Sequence, residues 1–234
     1  MNSRDSMSAG LDMSWRPLYA AGSVCALIYA VMCLVPLILV FAAPPVPATG
    51  AEVLDYIAAN RIVYLTQLIS FVGLSVPALV VFLALSVSLK GANKSLAAIG
   101  GLIGIGSEIM ALSLNGSPQS LHGALVHLSG QYIAAGTDAR RLALTTAAEG
   151  FIASANGLNF VGFLTALGIL LLSVITRKGV YGKFVFFVGI AAGAVGMVFE
   201  PLRPLMGNSY TIYGTLLLAW FIGVGLKLFR ESRA

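Results

Sequence analysis

The chain has 234 residues, of which 58% are hydrophobic and 10% charged, and its mean hydropathy is +0.92. Soluble domains carry about 25% charged residues, so this composition excludes a soluble globular protein and predicts one whose solvent is a lipid bilayer. The basic residues behind the net charge of +5 lie at the ends of apolar runs, where they set orientation. We therefore expect no nucleic-acid partner.

The first part of the chain predicts two membrane spans with a short helix between them. Residues 1–17 are polar and are expected to be a cytoplasmic tail. The apolar run 18–43 is longer than a signal-peptide core and predicts a retained first span, with cleavage after it as the alternative. A proline-rich stretch ends this span, and Thr49 then caps a short amphipathic helix at the outer interface. The second span covers 62–89, with Pro77 near its middle.

The middle of the chain predicts a third span and an outer helical segment. The connection at 90–94 is so short that the third span, 95–114, must be an antiparallel neighbour of the second. Residues 119–156 are expected to form amphipathic helices outside the membrane core. The first of these helices is expected to lie at the membrane surface or to dip into it. Thr137 or Asp138 is expected to cap the next helix.

Three more spans complete a predicted six-helix bundle. The fourth, 158–176, follows the preceding helix with no breaker stronger than Gly157, so a single helix of about 40 residues is an alternative. The fifth and sixth spans cover 184–199 and 210–229, and residues 231–234 are expected to be a cytoplasmic tail. The predicted fold class is thus all-α and polytopic.

The distribution of basic residues predicts the orientation of the single transmembrane domain, residues 18–230. If both termini are cytoplasmic, ten of the fourteen lysines and arginines lie inside. The four that lie outside are Arg61, Arg140, Arg141 and Arg203.

An ordered series of matches predicts that residues 62–110 are repeated as residues 151–202. The pattern Gly-x-x-Gly-x-x-x-Glu occurs in the third span, where it ends at Glu108, and in the fifth, where it ends at Glu200. The matches have offsets of about 90 residues and keep their order along the chain. Chance likeness between apolar helices is the alternative. A true repeat would be parallel and would make the two glutamates symmetry mates.

Glu108 is the strongest candidate for a functional residue because it is ionisable and lies inside a span. It falls on a stripe of small residues, where lipid-embedded helices approach closely, so it is expected to point into the protein. We expect its carboxyl to be neutral and hydrogen-bonded or to pair with Arg61 or Arg203. A structural hydrogen bond is the alternative to a function. The other members of this candidate ligand or proton site are Glu200, Glu149 and Asn159.

Two histidines, His122 and His127, are weak candidates for a metal site on the same side. Their spacing of five residues turns the two rings about 140° apart on a helix, and the zinc-protease pattern H-E-x-x-H is absent from the sequence. We therefore expect no metal and no cofactor, and interfacial histidines are the simpler interpretation. A recognisable catalytic nucleophile motif is absent too, so an enzyme is less favoured than a binding protein.

Four stretches carry a likeness to a known family. They are Asn60-Arg61 at the start of the second span, the run LALSVSLKGANKSLA, the helix DARRLALTTAAEGFIASANG with NFVGFLTALGILLLSV after it, and KFVFFVGIAAGAVGM. Together they resemble a bacterial family of small six-span membrane proteins that is known only as a domain of unknown function. The resemblance implies a bacterial cytoplasmic membrane. It implies no activity, and it transfers no catalytic residue.

Three classes of function remain open. The favoured one is a non-enzymatic membrane protein that binds a small amphiphile or a partner subunit at an outward-facing polar site around Glu108, with the bilayer and a second copy of the chain as further partners. The first alternative is a small proton-coupled transporter in which Glu108 is the protonatable gate. The second alternative is a membrane-embedded enzyme that acts on lipid or isoprenoid, with histidine and glutamate as acid, base or metal ligand.

Overall fold

The computed structural model describes residues 12–117, 120–157, 160–177 and 181–233. It confirms the predicted all-α polytopic fold. By length and composition, six helical segments are able to cross a membrane, and they correspond to the six predicted spans: Met13–Leu39, Arg61–Leu89, Lys94–Leu114, Asp138–Thr176, Gly182–Phe199 and Tyr210–Arg233.

The helices and strands of the described residues are numbered in chain order. The helices before the hairpin are α1 (Arg16–Ala42), α2 (Gly50–Ala59), α3 (Arg61–Gly73), α4 (Ser75–Leu89) and α5 (Lys94–Leu114). A two-stranded antiparallel hairpin follows, β1 (Gly116–Ser117) and β2 (Leu121–His122). The remaining helices are α6 (Gly123–Ile133), α7 (Asp138–Asn156), α8 (Val161–Thr176), α9 (Gly182–Phe199), α10 (Arg203–Met206) and α11 (Tyr210–Arg233).

Two of the predicted helices are interrupted, each at a residue that explains the interruption. The second span breaks between α3 and α4 because Pro77 has no N–H to bond the carbonyl of Gly73. The chain leaves the helical conformation at Gly157, where ψ is 175°, so α7 and α8 are separate helices rather than one. The sixth helix is longer than expected, since α11 continues through the predicted tail to Arg233.

Contacts divide the chain into two compact units, where the sequence predicts one domain. The first unit contains the described parts of Met1–Val31, Leu74–Met110 and Asn159–Ala234, and the second contains those of Met32–Gly73 and Ala111–Leu158. The first unit thus holds α4, most of α5 and all of α8, α9 and α11. The second unit holds α2, α3, the hairpin, α6 and α7.

Close helix packing in the first unit depends on glycine. The backbone of Gly104 on α5 lies directly against Gly168 on α8, and the ring of Phe82 on α4 covers its other side, so neither glycine has room for a Cβ. Such contacts are the usual way in which helices associate in lipid. Phe82 in turn belongs to a buried aromatic group with Trp220 and Phe221 of α11.

The second unit has its own core, built around the predicted interfacial helix. Residues of α2, α3, β2, α6 and α7 form one buried apolar cluster. The hydroxyl of Tyr64 donates to the carbonyl of Ser120 at 2.9 Å and accepts from the N–H of His122 at 2.9 Å. Thr49 and Thr137 are the N-cap residues of α2 and α7, as predicted, and the Thr137 hydroxyl accepts a cap hydrogen bond from the N–H of Arg140. The Thr49 hydroxyl makes no cap hydrogen bond and donates instead to the carboxyl of Glu52.

Candidate functional site

Glu108 is buried in the first unit, one helical turn beyond the contact between Gly104 and Gly168. Its exposed fraction is 7%. The close approach of the two glycine backbones brings α8 alongside α5, so that polar groups of α8 reach the carboxyl of Glu108. The stripe of small residues in the sequence therefore has the role predicted for it, because it points Glu108 into the protein.

The hydrogen-bond partners of Glu108 are hydroxyl groups. The Thr165 hydroxyl on α8 lies 3.2 Å from Oε1 of Glu108 and 2.9 Å from the hydroxyl of Ser107, and the Ser75 hydroxyl on α4 also bonds the carboxyl. Among the described residues no lysine or arginine forms an ion pair with Glu108. Of the two expected arrangements, hydrogen-bonded or ion-paired, the structure has the hydrogen-bonded one.

Glu200, the C-cap of α9, is held by a cation and a phenol. A terminal nitrogen of Arg203 lies 3.0 Å from Oε1 and 2.9 Å from Oε2, and the Tyr210 hydroxyl donates to Oε1 at 2.6 Å. The guanidinium of Arg203 also contacts the Tyr210 hydroxyl and lies 4.4 Å above the centre of its ring. Glu200 therefore has a charged partner, Arg203, in the next turn of the chain.

One turn of α8 joins the two carboxyl groups. Gly162 lies so close to the carboxylate of Glu200 that a Cβ would collide with it, while Thr165, three residues on, bonds Glu108. Residues three apart share one face of a helix. We name the group formed by Ser75, Ser107, Glu108, Thr165, Glu200, Arg203, Tyr210 and Tyr213 the Glu108–Glu200 cluster.

Two hydrogen-bond donors of this cluster have no acceptor. Nε of Arg203 and the hydroxyl of Tyr213 are buried and lack a partner among the described residues. Tyr213 is fully buried, and the hydroxyl end of its ring packs on Gly196, one turn before Glu200. Buried polar groups are nearly always satisfied in native proteins, and an unsatisfied one commonly marks the place of a water, an ion or a ligand.

The guanidinium of Arg203 stays charged. Burial acts to lower its pKa, but the neighbouring Tyr210 and Glu200 outweigh burial and hold the pKa above its ordinary value. The Glu108–Glu200 cluster therefore combines one permanent cation and its carboxylate partner with a second carboxyl that has only hydroxyl partners. Such a cluster is able to bind a proton or the polar head of a ligand.

The other residues of the predicted site are placed differently. Glu149 and Arg61 belong to the second unit, where Glu149 accepts from the N–H of Gly50 at 3.2 Å and so caps α2. Arg61 is exposed at the start of α3 and lines a shallow depression of about 330 Å³ with its sequence neighbours. Asn159 lies outside the described residues. The structure thus brings together Glu108, Glu200 and Arg203.

The two histidines have local roles in the second unit. Nδ1 of His122 accepts from the N–H of Ala124 at 3.1 Å and caps α6, and its ring packs on Phe151. Burial lowers the pKa of His122, which favours the neutral ring that this cap requires. His127 is exposed and bonds Gln131. The described ranges contain no group of three or more His, Cys, Asp or Glu side chains that could hold a metal.

Sequence reasoning did not identify the hydroxyl members of the cluster. Thr165 has no distinguishing pattern within an apolar run. Tyr210 and Tyr213 carried one usable signal, since they are three residues apart at the start of the sixth span and so share a face. A second group was missed as well, formed by Ser88, Tyr181 and Glu231, because Glu231 was assigned to a tail.

Comparisons with known proteins add no further constraint on the site. No protein-family model, no curated protein and no solved structure matches this chain. The interpretation of function therefore depends on the chemistry of the cluster itself.

Proposed function

We propose that the chain is a multi-pass protein of the bacterial cytoplasmic membrane, with both termini cytoplasmic, that binds a small amphiphile at the Glu108–Glu200 cluster. The single observation that supports this most is the pair of unused buried donors, Nε of Arg203 and the hydroxyl of Tyr213. Glu108 and Tyr213 lie inside candidate spans, where polar groups are costly and tend to be functional. A guest with a polar, hydrogen-bond-accepting head would satisfy both donors.

The surroundings of the cluster favour an amphiphile over a fully polar solute. The outward faces of α5 and α9 carry exposed apolar side chains that suit lipid or an alkyl chain, namely Leu102, Ile109, Met110 and Val198. A ligand with a polar head and an apolar tail would match both environments. An ionic solute would have to give up its hydration for only a few partners.

Native mass spectrometry of the gently solubilised protein tests this proposal. We expect a defined small mass to be retained by the wild type and reduced at least about tenfold in occupancy by Glu108→Leu, which removes both the donor and the acceptor capacity of the carboxyl. Glu149→Leu is the matched control, since Glu149 caps a helix in the second unit. A protein that retains no small mass, or a second polypeptide in its place, would contradict amphiphile binding.

A proton-coupled transporter is the second candidate, and one observation favours it. Glu108 is buried with hydroxyl partners, and the described residues provide it with no ion pair, so its protonation state is not fixed by a neighbouring cation. In reconstituted vesicles, Glu108→Gln should abolish proton-coupled flux while Glu149→Gln leaves it unchanged. Unchanged flux in Glu108→Gln would remove the gate role.

We also propose that residues 62–110 are repeated as residues 151–202, so that the helix pair α4–α5 is equivalent to the helix pair α8–α9, and the packing within each pair supports this. In each pair the two glycines of the Gly-x-x-Gly-x-x-x-Glu pattern lie against residues four apart on the preceding helix. The contacts are Gly101 with Ser86, Gly104 with Phe82, Gly193 with Leu170, and Gly196 with Ala166. A common ancestor would explain this shared arrangement, and it would make the two carboxyls of the cluster equivalent positions.

A further inference from the structure

A second buried polar group lies at the far end of the helices that build the Glu108–Glu200 cluster. Ser88 is at the end of α4, Tyr181 directly precedes α9, and Glu231 is in the last turn of α11. The other ends of these same helices carry Ser75, Glu200 and Tyr210. At 1.5 Å per residue, the 21 residues from Tyr210 to Glu231 correspond to about 30 Å, the thickness of a bilayer core.

The second group is tightly connected. The hydroxyls of Ser88 and Tyr181 are 2.5 Å apart, and the Tyr181 hydroxyl donates to Oε2 of Glu231 at 3.1 Å. Ser88 also bonds the carboxyl of Glu231. The three residues are at most 7% exposed. We name them the Tyr181–Glu231 cluster.

Local backbone geometry delivers Tyr181 to this position. Gly182 has a φ of 77°, a conformation that L side chains rarely adopt, and it turns the chain from Tyr181 directly into α9. Burial, and then the carboxyl of Glu231, raise the pKa of Tyr181 well above its ordinary value, so the hydroxyl remains a donor. Among the described residues, the other ionisable groups that act on this cluster are Tyr19 on α1 and Lys227 on α11.

The hydrogen bonding of the Tyr181–Glu231 cluster is incomplete. Oε1 of Glu231 is buried and has no partner among the residues that the structure describes, and Glu231 forms no ion pair there. Three helix ends are therefore joined through two hydroxyls and a single carboxyl oxygen. Loss of the phenol removes two of the three contacts of this junction, and the released carboxyl then gains water at both oxygens.

We propose that Ser88, Tyr181 and Glu231 form a latch that closes the cytoplasmic end of the helices α4, α9 and α11, and that its opening connects the Glu108–Glu200 cluster with the cytoplasm. This inference rests on the proposed function, since a latch is useful only if the cluster exchanges a guest or a proton. The closed latch and the buried Glu108 together describe a site that is shut on its cytoplasmic side.

Cysteine accessibility tests the latch without any ligand. In a chain with Cys25→Ala and Cys33→Ala, the reporter is Leu85→Cys, which is fully buried and lies one turn before Ser88. A membrane-impermeant maleimide is applied to inside-out vesicles. We expect Tyr181→Phe to raise the labelling rate about tenfold, since both hydrogen bonds of the Tyr181 hydroxyl are lost. Ser88→Ala, a milder change, should raise it less.

Two controls make the result decisive. Tyr56→Phe removes a phenol that donates to the carbonyl of Pro44 in the second unit, and it should leave the rate unchanged. A reporter at the buried Leu125 of the second unit should stay protected in Tyr181→Phe. The latch is overturned if Tyr181→Phe and Ser88→Ala leave Leu85→Cys protected, if Leu125→Cys becomes equally reactive, or if labelling rises only from the outside. Retention of the small mass is measured separately, so failure of the latch and failure of ligand binding are distinct results.

Discussion

The two polar clusters of the first unit lie at opposite ends of the same helices, yet they differ in which hydrogen-bonding groups lack a partner. The Glu108–Glu200 cluster contains a guanidinium and leaves two donors unused, whereas the Tyr181–Glu231 cluster contains no ion pair among its described members and leaves one acceptor unused. Two unused donors need an acceptor, which in the proposed function is the polar head of the guest. A single unused carboxylate oxygen needs only a proton or a water.

In the proposed function and the proposed latch, this difference corresponds to a division of roles between the two ends. The end with the fixed cation would hold the guest, and Arg203 stays charged there because Tyr210 and Glu200 outweigh burial. The end with the hydroxyl and carboxyl junction would open. Variants at the two ends test this division.

Removing the cation should have the largest effect on stability. Arg203→Met leaves the carboxylate of Glu200 buried with only Tyr210 as a partner, which should lower the free energy of unfolding by about 3 kcal/mol. The ion pair of Lys90 with Asp12 has the same 2.9 Å separation but is far more exposed, so Lys90→Met is the control and should cost much less. Equal losses of unfolding free energy in the two variants, measured by SDS titration, would mean that burial does not strengthen the ion pair of Arg203 with Glu200.

Filling the space between α8 and Glu200 should have the next largest effect. In Gly162→Ala the new Cβ collides with the carboxylate of Glu200, which should cost about 2 kcal/mol and displace Glu200 from Arg203. Gly214→Ala on α11 is the control, because its Cβ would meet nothing within 4 Å and should be neutral or stabilising. Thermal unfolding of both variants measures the difference. A stable Gly162→Ala would show that the carboxylate position is not fixed.

The two tyrosines of the Glu108–Glu200 cluster should respond differently to loss of the hydroxyl. Tyr210→Phe removes a donor to Glu200 and should lower stability by about 1.5 kcal/mol. Tyr213→Phe removes a hydroxyl without a partner, so the free energy of unfolding should change little, while retention of the bound mass falls. Unfolding titrations and native mass spectrometry on the same samples compare the two. A Tyr213→Phe variant that retains the bound mass as well as the wild type would contradict the proposal that the unused donors bind the guest.

The smallest effect is a pH dependence at the end where α4 terminates. Bonds from Ser14 and Lys90 lower the pKa of Asp12 from 3.8 to about 2. Because the folded-state pKa is the lower one, the stabilisation is complete above pH 4 and is lost as the pH falls toward about 2. NMR titration of Asp12 should therefore show no change between pH 7 and pH 4. A midpoint near 4 would mean that the hydrogen bonds from Ser14 and the contact with Lys90 do not form in solution.

Much of the fold follows from the sequence, because spans, caps and small-residue stripes are local signals. Glu108 points inward as its stripe predicts, and Thr49 and Thr137 lie at the N-caps as predicted, although of these two side chains only that of Thr137 accepts a cap hydrogen bond. Pro77 is a local signal for an interruption of the second span, but the sequence alone does not show that the helix ends at Gly73 and begins again at Ser75.

The composition of the site was less predictable, since it depends on contacts between residues far apart in the chain. Arg61 and Glu149 shared a predicted side of the membrane with Glu108, yet they fold into the other unit. Thr165 and Tyr210 were not identified because a lone hydroxyl in an apolar run has no pattern of its own. Glu231 was overlooked because a charged residue near a terminus resembles a solvated tail until the helix is seen to bury it.

A crystal structure of the wild-type protein grown from a lipidic mesophase would show whether a guest occupies the Glu108–Glu200 cluster. We predict density for an amphiphile whose polar head lies within hydrogen-bond distance of Nε of Arg203 and the hydroxyl of Tyr213, with its tail against the exposed apolar face. A cluster in which both donors bond other protein groups, or a lone water between them, would contradict the proposed binding site.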